Sequence, residues 1–126
     1  MTAILVARLQ LTRGVDLALN ADILQWMEVA VTNGKDQRWL QHTYGLTGHL
    51  TGALALADDL FPGLRWNIQA KRRGSASIYD AAVLAPGAAA PQVCRSGDAA
   101  NALLGATLLA FAAVALPSTD REAMAA

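Results

Sequence analysis

The clearest rhythm in the chain lies near its middle. In Leu64-Arg65-Trp66-Asn67-Ile68-Gln69-Ala70 the apolar residues hold the even positions and the polar residues the odd ones. Side chains alternate sides along an extended backbone, so a period of two predicts a strand with one dry face and one wet face. Lys71-Arg72-Arg73-Gly74 reads as a charged turn, and 75–84 as the returning strand, with Ala76 and Ile78 inward and Ser77 and Tyr79 outward. Upstream the period lengthens to that of a helix. Residues 2–12 predict a first helix, with Ile4, Leu5, Leu9 and Leu11 on overlapping faces and a stop at Gly14. A second helix is predicted over 16–32, where Leu19, Ile23, Trp26, Met27, Ala30 and Val31 form one stripe before Asn33-Gly34. The polar stretch 35–46 reads as a loop. Thr47 then serves as N-cap of a third helix that ends near Leu60, with Leu50, Ala53, Leu54, Ala57 and Leu60 inward, and Phe61-Pro62-Gly63 terminates it.

Downstream of the hairpin, 85–97 is an alanine- and proline-rich excursion in which Gln92-Val93-Cys94-Arg95 can add a short third strand. Ser96 or Asp98 caps a last helix over 99–116, which Pro117 ends, and 118–126 forms a frayed tail. The order is α-α-α-β-β-(β)-α. It predicts an α+β fold: a small antiparallel sheet, with a central hairpin and a possible short third strand, packed with three to four helices in a sandwich-like arrangement. One domain covers 1–117, with a helical part over 1–34 and a sandwich core over about 44–116. The last helix is apolar nearly all round, so it lies either centrally in its layer or across an interface between two copies. Its alanines permit close helix approach, and a homodimer is the expectation. A membrane span is not expected: the uninterrupted apolar part reaches only about 22 Å as a helix, against the ~30 Å hydrocarbon core.

Composition narrows the function classes. Of 126 residues, 54% are hydrophobic and only 16% charged, which excludes disorder. Ten Lys and Arg balance ten Asp and Glu, so no overall field favours nucleic acid or an anionic membrane. A single cysteine, Cys94, excludes an internal disulfide. Arg95 beside it would lower the thiol pKa, but no base or oxyanion site accompanies it. His42 and His49 lack a third ligand at metal spacing, and His49 lies too far along its helix from Asp58 and Asp59 to pair with them. Neither a phosphate-binding glycine loop nor a nucleophile–base set is legible, so no catalytic residue, metal or cofactor is assigned.

The candidate contact surface is the wet face of the hairpin: Arg65, Asn67, Gln69, Ser77 and Tyr79, with Lys71, Arg72 and Arg73 at its tip. Between 60 and 79 there are four basic residues and no acid. Arginine forks suit phosphate and carboxylate, and a tyrosine can stack on a base, so the face would attract an anion, a nucleotide or an acidic protein patch. A bland alternative is a solvated sheet face whose charges discourage edge pairing. Trp39, in a polar loop beside Arg38, is a further candidate for a ligand- or partner-lining residue.

Three stretches together resemble a known family. They are Tyr44-Gly45-Leu46-Thr47-Gly48-His49-Leu50-Thr51-Gly52-Ala53-Leu54, then Leu60-Phe61-Pro62-Gly63-Leu64-Arg65-Trp66 with the hairpin at Gly74-Ser75-Ala76-Ser77, and Gly97-Asp98-Ala99-Ala100-Asn101-Ala102-Leu103-Leu104. In this order they are similar to the small phage and prophage proteins of the phage ABA sandwich domain family. The resemblance implies a virus or prophage origin and an accessory role; with no catalytic constellation legible in the residues, the expectation is a non-enzymatic binder acting in the cytoplasm of an infected bacterial host. Its partner would be a host defence protein or a nucleotide-derived signal molecule, with no sequence-specific nucleic acid and no membrane. The alternative is a structural module acting through homo-oligomerisation. The family brings no catalytic residues to carry over.

Overall fold

The computed structural model describes residues 2–27 and 47–115; the readings for 28–46, among them Trp39 and His42, and for 116–126 fall outside the described residues. Helices α1 (Thr2–Leu11), α2 (Leu17–Met27) and α3 (Leu50–Leu60) precede strands β1 (Arg65–Arg73), β2 (Ala76–Leu84) and β3 (Gln92–Ser96), and α4 (Ala99–Ala115) closes the order. The three strands form one antiparallel sheet in the order β1-β2-β3. The predicted α+β architecture and the third strand are therefore both present.

α4 explains how so few charges hold the fold together. It has no polar face because it is surrounded: it packs on β2 and β3 on one side and on α1 and α3 on others. Leu103, Leu104 and Leu108 are fully buried, each contributing about 1.5–3 kcal/mol on leaving water. The helix is thus central in its layer, with these leucines and most of its described alanines buried within the chain. Trp26 of α2 meets Phe111 of α4 edge-on, with ring centroids 5.5 Å apart and planes at 83°. The α1 face differs from the expected stripe: Leu5, Val6 and Leu9 are buried, whereas Ile4 and Leu11 point outward. On α3 the buried set is Ala53, Leu56 and Ala57; Leu54 and Leu60 pack at its margin and Leu50 is exposed. Among the described residues, no helix is long and apolar enough to cross a membrane.

The core is pinned by a small set of buried polar side chains. Asn101, fully buried on α4, donates through Nδ2 to the carbonyls of Thr12 (2.9 Å) and Gly14 (3.1 Å), and its Oδ1 accepts the Gly48 N–H at 3.0 Å. Thr47 is not the N-cap of α3. His49 stands at that position without a side-chain cap. The Thr47 hydroxyl instead accepts the Asp16 N–H at 2.7 Å and donates to the Asp16 carbonyl, while the Thr47 N–H donates to Asn20 Oδ1 at 2.9 Å. Gly48, at φ 72°, makes this approach possible, since a Cβ there would fall 2.6 Å from the Val15 nitrogen. Nearby, Ser96 Oγ donates to the Leu9 carbonyl at 2.8 Å, and Asp98 caps α4 by accepting the Asn101 N–H.

Two substitutions test this packing. Asn101→Ala leaves two carbonyls and one N–H without their partner and is expected to cost about 3 kcal/mol in denaturant unfolding. Gly105 of α4 lies over Cys94 of β3, so a Cβ at 105 would sit well inside contact distance of the Cys94 sulfur and 3.0 Å from its Cβ. Gly105→Ala is expected to lose about 2 kcal/mol despite alanine's better helix propensity, and Cys94→Ala in the same chain to recover part of that loss.

Candidate functional site

The hairpin turns on two residues, Gly74 and Ser75, with Gly74 at φ 62°. Lys71, Arg72 and Arg73 are therefore part of β1 and not of the turn. The register then fixes the faces. Trp66 pairs with Val83, Ile68 with Ala81, Ala70 with Tyr79 and Arg72 with Ser77. Ala81 and Val83 are fully buried under α4, so this whole set faces the helices. Arg65, Asn67, Gln69, Lys71 and Arg73 pair with Leu84, Ala82, Asp80, Ile78 and Ala76, and these share the outer face.

The register places five residues of the predicted contact set on this face and three on the opposite one, with Trp39 outside the described residues. Arg65, Asn67, Gln69, Lys71 and Arg73 lie together on the outer face and are exposed. Ser77 and Tyr79 lie on the opposite face, where Tyr79 packs against the core, and Arg72 faces that way too. Ala76 and Ile78, expected inward, are on the outer face. The physical reason is the pairing itself: a turn with an even number of residues sets even positions of one strand opposite odd positions of the other. Trp66 is also not core. It is 48% exposed because α4 covers β2 and β3 and barely reaches β1, leaving Ile68 and Leu64 as the residues of that row that pack inward.

Two residues join the outer face that were not singled out from the sequence. Asp80 of β2 sits between Gln69 and Arg95 in the register. Arg95 grips it with both ends of its fork, Nε to Oδ1 at 2.7 Å and Nη2 to Oδ2 at 3.0 Å, and Lys71 Nζ approaches Oδ2 at 3.1 Å. The acid-free stretch thus ends one residue before the acid that neutralises part of its charge. The Arg95 fork holds the Asp80 carboxyl at about 2, below its ordinary 3.8, with Lys71 assisting against the cost of partial burial. The signal for Arg95 was the alternation Val93-Cys94-Arg95, which must put the charge outward once the thiol is inward.

Around this pair lies a shallow open groove of about 560 Å³, whose lining includes Gln10 of α1 with Asn67, Gln69, Asp80, Val93 and Arg95 of the sheet. It offers amide donors and acceptors, a fixed guanidinium and a 56% exposed valine at position 93. Counting Arg65, Lys71, Arg73 and Arg95 against Asp80, the face keeps a cationic excess. That suits binding of an anionic or mixed polar surface.

On the other side of the sheet Cys94 is buried, and burial pushes its thiol up to about 11, opposite to the lowering expected from Arg95, whose charge is directed at Asp80. The thiol is closed to solvent-borne reagents. His49 is exposed and makes no side-chain cap. Among the described residues, no group of three His, Cys, Asp or Glu is placed to hold a metal ion.

The depressed Asp80 value has a pH consequence. Because the folded carboxyl titrates below the unfolded one, Asp80 stabilises the fold above pH 3.8, and this contribution is lost as pH falls towards about 2. Melting temperatures measured across that window are expected to fall less steeply in Asp80→Asn than in the parent chain. Comparison of the chain with protein-family models, curated proteins and solved structures finds no match.

Proposed function

We propose that this protein works by stoichiometric binding rather than by catalysis, as a phage-encoded accessory that occupies a component of host antiviral defence in the bacterial cytoplasm. The observation that carries the reading is the outer face of the sheet. It lies away from α4 and holds Asn67, Gln69, Lys71 and Arg95 on rigid strands around Asp80, with Gln10 of α1 completing the lining of its groove. Side chains fixed on strands lose little freedom on binding, which suits a module that must hold a partner tightly without chemistry. The cationic excess fits acidic groups, either the carboxylates of a defence protein or the phosphates of a nucleotide-derived signal. The resemblance to the phage ABA sandwich domain family supplies the viral setting of the proposal.

A second reading has its own observation. Ile4 (60% exposed), Leu11 (86%), Val15 (51%) and Leu17 (64%) leave apolar surface around α1 and the start of α2, as a homo-oligomerising module would. Light scattering separates the two: a chain that is monomeric at working concentration argues against the oligomer reading.

The test of the first reading is phage plating on a defended host that expresses the protein. The parent chain is expected to restore plaque formation, and Arg95→Ala combined with Asn67→Ala to lose it while keeping its melting temperature within a few degrees. Full activity in that double variant overturns the outer face as the contact surface.

A further inference from the structure

β1 is nine residues long, and among the described residues it pairs on one side only, with β2. The two-residue turn closes on Arg73 and Ala76, which must be a hydrogen-bonded pair. Pairs alternate along an antiparallel ladder, so Trp66, Ile68, Ala70 and Arg72 direct their backbone N–H and C=O away from β2, at the open edge. These groups are in the extended geometry that a further strand needs. The other edge of the sheet differs: β3 has five residues and is flanked by α1, with Ser96 bonded to the Leu9 carbonyl.

We infer that the free edge of β1 receives an extended acidic segment of a partner protein, added to the sheet as a fourth strand. The two faces of β1 specify that segment. On the outer face Arg65, Lys71 and Arg73 stand beside the incoming strand, together with Asn67 and Gln69, and β1 contains no acid. On the helix face, Trp66 and Ile68 present apolar surface that α4 leaves partly open, followed by Ala70. A strand alternating acidic and apolar residues, acids outward, satisfies both rows and the backbone together. The same charges disfavour a second copy: two β1 strands paired antiparallel about Gln69 place Arg65 opposite Arg73 at both ends. This inference stands on the backbone edge of β1; it shares the β1 side chains Asn67, Gln69 and Lys71 with the outer-groove reading, but that reading turns on Arg95 of β3, so Arg95→Ala distinguishes the two.

The test uses the full chain and a labelled peptide of ten residues alternating glutamate and valine, with a lysine–valine peptide as control. Fluorescence anisotropy is expected to show saturable binding of the acidic peptide only, weakened by salt. Amide exchange is expected to slow at Trp66, Ile68, Ala70 and Arg72, and not in β3. Ala70→Pro removes an edge N–H without entering the β1–β2 ladder and is expected to weaken binding at least about tenfold, as is Arg73→Glu, whereas Ala70→Val and Arg95→Ala keep it. Absence of binding, equal binding of the lysine peptide, or protection appearing in β3 overturns the inference. So does a dimer of the parent chain that Ala70→Pro dissociates, since the edge would then belong to a second copy.

Discussion

A core made of alanine and leucine has no direction of its own. Contacts between alanines and leucines hold helix α4 by shape alone, with the close fit of Gly105 over Cys94 as one fixed point. The Asn101 amide supplies what the apolar contacts lack. Its three hydrogen bonds reach the chain after α1 and the chain before α3, so one side chain fixes the position of two segments against α4. Thr47 extends the lock to the N-terminus of α2 through Asp16 and Asn20. Asn101, Thr47 and Asn20 are buried, and a slip that broke their bonds would strand donors and acceptors away from water. Specificity of arrangement comes from the few polar side chains; the bulk of the stabilisation comes from the many apolar ones.

The same division governs the sheet. α4 lies over β2 and β3, so the inner rows Ala81, Val83 and Cys94 are sealed, and the sheet is wet on its other side. β1 lies beyond the helix and is wet on nearly every residue, which leaves Trp66 half in solvent although its neighbours in the pattern are apolar. The sheet therefore has a gradient of cover, from closed at β3 to open at β1. Both proposed contact surfaces lie towards the uncovered parts, one on the outer face and one along the edge.

Much of the architecture was legible in the residues. The alternation at 64–70 marks a strand, Phe61-Pro62-Gly63 the end of a helix and the apolar run after 99 another helix, and the structure has all three; the dry face that the alternation also implies is absent, because α4 barely reaches β1. The phase of β2 was less legible. Ile78 is more hydrophobic than Tyr79, so residue character alone points Ile78 inward; register, which is set by the length of the turn, places it outward. Asp80 and Arg95 were missed for a related reason, since their pairing is a contact across strands and has no local signature. Asn101 looked like an interruption in an apolar helix. A buried amide can be recognised as a fastening point only when the backbone groups it reaches are known, and those lie 53 to 89 residues earlier in the chain.

That long reach has a consequence for how the molecule is made. The buried row of α1 (Leu5, Val6 and Leu9) finds its cover chiefly on α4, and the Ser96 and Asn101 side chains that hold its C-terminal end are among the later residues to be translated. α1 thus leaves the ribosome well before its cover does, and it is seated only once β3 and α4 have followed. Until then its leucines are open to any passing nonpolar surface, and chaperone capture competes with native closure throughout synthesis.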